Sequence, residues 1–89
     1  ELITRFAWGT IWTRPGLDQR TRRLLVLAIT ASMGRWEEFR LHLRAGVAHE
    51  LEWVDVEEVL LQLAVYAGVP AANTGFHIAA DERMTVGES

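Results

Sequence analysis

From Val59 to Tyr66 the chain reads VLLQLAVY, a stretch that, wound as a helix, presents apolar side chains on every face. A helix with one apolar stripe lies on a surface, whereas one that is apolar all round has to be enclosed by neighbours. Asp55, followed three residues later by Glu58, supplies a variant of the capping box at its start, and Gly68 closes it. This element demands partners on all sides from a chain of 89 residues, 49% of them apolar. A monomer of that size buries only ~60–65% of its unfolded surface. Part of the enclosure is therefore expected from another subunit, which makes a homo-oligomer the expected state.

The other segments are helical as well. Glu1 to about Trp12 places Leu2, Ile3, Phe6, Ala7, Trp8, Ile11 and Trp12 near helical spacing until Arg14-Pro15-Gly16 ends the run. A second helix starts at Asp18, a good N-cap, and runs to Met33 before Gly34. Its early turns are rich in arginine; its later turns, Leu24 to Ala31, are almost wholly apolar. The third, Trp36 to about His49, is amphipathic, with Phe39, Leu43, Ala45 and Val47 set against Glu37, Arg40 and Arg44. Pro70 fits the first position of a fifth helix, which carries Phe76, Ile78 and Ala79 and fades after Arg83. Five helical segments without a strand candidate predict an all-α protein, a compact helical bundle in which residues 1–89 form a single domain.

Several kinds of chemistry are excluded. Without cysteine there is no disulfide framework, thiolate metal site, redox pair or thiol nucleophile. No apolar run reaches the ~18 residues of a membrane span, and the N-terminus lacks the pattern of a signal peptide, so a soluble cytoplasmic protein is expected. A net charge of −3 argues against a nucleic-acid partner, whose phosphates call for a basic surface. All nine basic residues are arginine. Codon bias explains that, although arginine suits carboxylate recognition better than lysine does.

The densest polar constellation is RWEEFRLH, residues 35–42. On a helix Arg35, Glu38 and His42 stand three and four apart and share a face. Glu38 is placed to orient the imidazole of His42 and raise its basicity, and Arg35 to meet a substrate carboxylate bidentately. Such spacing is also common among exposed ion pairs worth ~0.3–0.5 kcal/mol each, and spacing alone favours that plainer reading. Arg14, Arg20, Arg22 and Arg23 form a second group. Arg22, near the start of the second helix, opposes the helix dipole, which hints at an anion to be held. Arg20 and Arg23 are read as a solvated face paired with Asp18 and other acids. His49 complements the dipole at the end of the third helix, and His77, among apolar neighbours, is a packing residue or a pocket wall. No pair of histidines has ligand spacing with a third group, so no metal site is expected. Tyr66 is either buried with a partnered hydroxyl or a pocket wall. Trp8, Trp12, Trp36 and Trp53 are read as core or interface anchors.

Three stretches taken together, FAWGTIWTRPGLDQRTRRLLVLA, GRWEEFRLHLRAG and EEVLLQLAVYAGVPAANTGFHIA, resemble the gamma-carboxymuconolactone decarboxylases of aromatic-acid catabolism. The resemblance extends from Glu1 to about Glu82. It implies the alkylhydroperoxidase D-like helical fold and a homo-oligomer, trimeric or hexameric, with sites near subunit contacts. The active helix of that wider superfamily carries Cys-x-x-Cys-x-x-x-His, and the same register here is Arg35-x-x-Glu38-x-x-x-His42. Thiol chemistry is thereby lost while acid/base chemistry is left, which turns this face toward function.

The implied reaction is loss of carbon dioxide from 4-carboxymuconolactone to give 3-oxoadipate enol-lactone, in the protocatechuate branch of the beta-ketoadipate pathway. Electrons released on C–C cleavage flow through the ring double bond to the lactone carbonyl, so the resemblance implies neither cofactor nor metal. It makes His42 the proton donor and Glu38 its orienter, roles that are exchangeable. Arg35 and Arg22, with Arg14 behind them, would bind carboxylates or the enolate, while Trp12, Tyr66 and His77 shape the pocket. Family members usually carry an upstream segment, and some are fused to the enol-lactone hydrolase that acts next. With Glu1 as its first residue, the chain is expected to belong to a longer protein. The competing readings are a non-catalytic oligomeric helical module and a decarboxylase-like enzyme acting on another substrate.

Overall fold

The computed structural model describes residues 6–88, with side chains over residues 9–85. A π-helical turn, Phe6–Ile11, leads to four α-helices: α1 (Gln19–Ser32), α2 (Trp36–Ala48), α3 (Trp53–Tyr66) and α4 (Val69–Glu88). No strand occurs among the described residues, and the chain is all-α. The expected helical start over residues 1–5 lies outside the described residues.

The helix boundaries have local causes. Asp18 caps α1 as expected: its Oδ1 accepts the Thr21 N–H at 2.8 Å, satisfying one of the helix's free donors. That bond to Thr21 holds the Asp18 carboxyl below its ordinary pKa. Gly34, at φ +73°, turns the chain from α1 into α2 through a conformation that L side chains rarely adopt. The start of α3 corrects the sequence reading, because the helix begins two residues before Asp55. Asp55 therefore sits inside the first turn, where its Oδ2 accepts the Glu52 N–H at 2.9 Å, and Glu58 is no part of the cap. The last helix starts at Val69, one residue before Pro70, and continues past Arg83 to Glu88.

Leu27 of α1, Phe39 and Leu43 of α2, and Val56 and Leu60 of α3 are fully buried, joined by Ala72 of α4. Burying each large aliphatic or aromatic side chain favours the fold by ~1.5–3 kcal/mol. The Trp36 ring meets Phe39 edge-on at 5.3 Å, and Trp36 and Trp53 both pack against this core. A second tie joins α2 to α4. The buried Glu82 carboxylate accepts hydrogen bonds from Arg40 and Arg44, two positions one turn apart on α2.

The described residues of one chain do not by themselves enclose α3. Val56, Leu60 and Leu63 make a buried stripe, but Leu61, Val65 and Tyr66 are 54%, 75% and 81% exposed. Helices pack along stripes, so the neighbours in one small bundle leave the opposite flank of α3 bare. Beside it runs a groove of about 640 Å³ between α1 and α3, walled by Leu24, Ala28, Ile29, Val59, Leu63 and Tyr66. No helix among the described residues is long and apolar enough to cross a membrane.

Candidate functional site

A different face of α1 meets α2 through Arg23. Close approach depends on Gly46: a Cβ there would stand 2.9 Å from Leu51 Cδ1 and 3.0 Å from Arg23 Cγ. The Arg23 stem passes over this gap, leaving its side chain only 13% exposed. Among the described residues its guanidinium then meets three partners. Nε donates to Glu50 Oε1 at 2.8 Å, and one terminal nitrogen donates to His42 Nδ1 at 2.7 Å. The guanidinium carbon lies 5.0 Å from the centre of the Trp12 ring. Trp12 in turn stacks on His42, with ring centroids 6.0 Å apart and an interplanar angle of 12°. One arginine thus gathers a carboxylate, an imidazole and an indole that are far apart in sequence.

The hydrogen bond assigns the state of the imidazole. A guanidinium has donors and no acceptor, so Nδ1 of His42 is the acceptor, and the neutral ring carries its proton on Nε2. Burial pushes the pKa of His42 below the ordinary histidine value, and the Arg23 charge adds to the shift. Glu38, one turn earlier on α2, pulls the other way without prevailing. At neutral pH the site holds a neutral acid/base group beside a fixed cation. Such a pair can bind an anion and move a proton.

Of the residues singled out in the sequence, Trp12 and His42 are brought together, and Glu38 reaches His42 through its charge. Arg22 donates to the backbone carbonyl of Arg14 at 3.0 Å, which ties the segment following Trp12 down onto α1. Arg22 Nε is buried without a hydrogen-bond partner among the described residues. Arg35 is exposed at the N-cap of α2, in a depression with Gly34, Trp36, Glu37 and Glu38. Among the described residues it makes no side-chain hydrogen bond, so Arg35, Glu38 and His42 share a helix without forming a bonded triad. Tyr66 lines the α1–α3 groove, and His77 is exposed on α4.

Arg23 requires a correction. It does not belong to a solvated face; it is the centre of the cluster. A signal for this was present, since Arg23 continues the buried stripe of Leu27, Thr30 and Ala31 at helical spacing. Arg20 does behave as a surface residue, pairing with Asp55 at 2.6 Å with half of its side chain exposed. Glu50 was not singled out, because it lies in the turn after α2, 27 residues from the arginine it neutralises.

A cysteine-free helical bundle that sets a neutral histidine against a guanidinium is suited to acid/base work on a small anion. Residues 1–81 match the model of the carboxymuconolactone decarboxylase family, and the chain belongs to that family. Over 79 residues, 89% of this chain and 59% of the relative, it is 42% identical to 4-carboxymuconolactone decarboxylase of Acinetobacter baylyi. Over 71 residues, 80% of this chain and 50% of the relative, it is 42% identical to a nitrosuccinic acid decarboxylase of Metarhizium robertsii. The chain therefore spans between half and three fifths of the curated relatives it matches. No solved structure gives a significant match.

Proposed function

We propose that this chain, within its whole protein, carries out the cofactor-independent decarboxylation of a small dicarboxylic acid, with 4-carboxymuconolactone as substrate and 3-oxoadipate enol-lactone as product. The observation that carries the reading is the 2.7 Å contact between Arg23 and a half-buried, neutral His42. Two relatives named as decarboxylases support it from a separate direction. Their named substrates contain a lactone and a nitro group, each an internal acceptor for the electron pair left by departing carbon dioxide.

In the lactone the pair enters the ring double bond and builds negative charge on the carbonyl oxygen. Fixed cations and N–H donors aimed at that charge lower the barrier. Arg23 and Arg22 are the guanidiniums placed for the substrate carboxylates and the developing enolate. His42 delivers the proton to carbon, and Glu38 stabilises the imidazolium before transfer. Trp12 forms one wall beside the imidazole. Arg35, Arg14, Tyr66 and His77 take supporting positions at the margins of the site or at a subunit contact.

A homo-oligomer, trimeric or hexameric, completes the proposal. The apolar groove beside the bare flank of α3 is the surface that a second copy would cover, since large exposed apolar patches mark interaction sites. Light scattering should give a multiple of the chain mass, and Val65→Glu should reduce it.

The function is tested by supplying 4-carboxymuconolactone to the full-length protein while following carbon dioxide release and enol-lactone formation, with nitrosuccinate in parallel. Turnover of the lactone is the expected result. Turnover of nitrosuccinate alone would reassign the substrate, and turnover of neither by an intact oligomer would favour a non-catalytic helical module.

A further inference from the structure

The arrangement around Arg23 assigns a state that the reaction has to leave. Decarboxylation consumes one proton, because a dianionic substrate gives a monoanionic product and carbon dioxide. A neutral imidazole with its proton on Nε2 is a weak acid and a poor source of that proton. Protonating the ring puts hydrogen on Nδ1, the atom that now accepts from Arg23 at 2.7 Å. His42 can therefore become an imidazolium only as Arg23 lets go.

We infer, resting on the decarboxylase reading, that Arg23 is a shared anchor: it holds Nδ1 of His42 in the empty site and passes to a carboxylate of the arriving substrate, so that His42 takes up a proton only when an anion is bound. The cluster holds the fittings for such a transfer. Glu50 holds Nε of Arg23 at 2.8 Å, so the guanidinium has a fixed pivot while its terminal nitrogens exchange partners. Trp12 supplies a flat surface 5.0 Å beneath it, along which the guanidinium keeps a cation–π contact. A carboxylate accepts two parallel bonds from a guanidinium, whereas the imidazole accepts one, so the anion is the stronger partner.

Among the described residues, the charged groups that act on the ring include Arg23 from α1, Glu38 on α2 itself and Glu50 from the turn after α2, acting through Arg23. Burial, the larger cause opposing protonation, remains when Arg23 moves onto an anion, but the contact at Nδ1 is removed, and Glu38 together with the bound anion favours the imidazolium. The steps then balance. A proton from solvent binds Nδ1; the carbon–carbon bond breaks toward the ring double bond and lactone carbonyl; the imidazolium returns its proton to carbon as the C–H bond forms.

The test uses the saturated analogue of 4-carboxymuconolactone. It keeps both carboxylates, but without the ring double bond it has no electron sink and is not turned over. Nitrogen-15 spectra of His42 at pH 7 should show an unprotonated Nδ1 in the free protein and an imidazolium when the analogue saturates the site. Calorimetry in buffers of different ionisation enthalpy should record proton uptake on binding. Arg23→Gln should weaken the analogue about 10- to 100-fold, the loss expected for a charged hydrogen bond, and raise the pH at which His42 titrates in the free protein. Arg23→Lys should restore much of the binding without restoring the hold on Nδ1. An imidazole that stays neutral under saturating analogue, or an Arg23→Gln protein that binds it like wild type, would overturn the assignment. None of these readouts needs turnover: proton uptake on binding the analogue, together with no carbon dioxide release from 4-carboxymuconolactone itself, sinks the decarboxylase reading and leaves the anchor standing.

Discussion

Arginine clusters lie on two sides of α2, and they differ in what each guanidinium has been given to bind. Toward α4, Arg40 and Arg44 converge on the buried Glu82, and Asp81 takes a further bond from Arg40. Hydrogen bonds, that of Arg44 foremost, hold the Glu82 carboxyl below its ordinary pKa. Cations and anions are matched there, and nothing is left to exchange. Toward α1, a single guanidinium is divided between a carboxylate and a neutral imidazole. A charge set against a neutral, titratable partner can be won over by an incoming anion, so the first cluster fastens helices and the second is the one proposed to act.

The largest effect is expected at His42. His42→Gln should lower kcat by about 10²- to 10⁴-fold, the usual cost of removing a positioned acid/base group, with the circular dichroism spectrum unchanged. Wild-type turnover in that variant would move the chemistry elsewhere.

Glu82→Gln should do the reverse, leaving turnover alone and reducing stability by about 2 kcal/mol, as expected for a buried carboxylate bound by partly exposed arginines. The readout is a lower urea midpoint at constant slope. Because the folded-state pKa of Glu82 is depressed, its contribution is present above the unfolded glutamate pKa and is lost as pH falls through the folded value. The gap between wild type and variant should therefore close on acidification. A gap that widened would contradict the latch.

Arg35→Ala should have the smallest effect, changing kcat/KM by less than about twofold, in line with exposed charges that make no fixed contact. A large rise in KM would instead restore Arg35 to the carboxylate site that the motif suggests.

Much of the fold was legible in the chain, because its signals are local. Asp18, Gly34 and Gly68 punctuate the helices near the expected places, and the stripes of α1 and α2 enter the core as their periodicity requires. The apolar surround of α3 says that a surface wants cover without saying what supplies it, and the described residues cover one stripe of it. At the site, His42 and Trp12 could be named from the sequence, and Arg23 carried a stripe signal that its charge obscured. Glu50 carried none. Its role follows from packing that brings the turn after α2 over the start of α1, and no spacing along one helix encodes that.

The proposed coupling of anion binding to protonation of His42 through Arg23 makes the pH dependences of kcat and kcat/KM, taken side by side, differ. The latter follows groups of the free enzyme and the former those of the complex. With the pKa of His42 depressed by burial and Arg23 in the free protein, kcat/KM should begin to fall below the ordinary histidine range as pH rises. The kcat plateau should persist to higher pH, because bound substrate has drawn Arg23 away. One inflection shared by both profiles, or profiles unaltered in Arg23→Lys, would contradict the account.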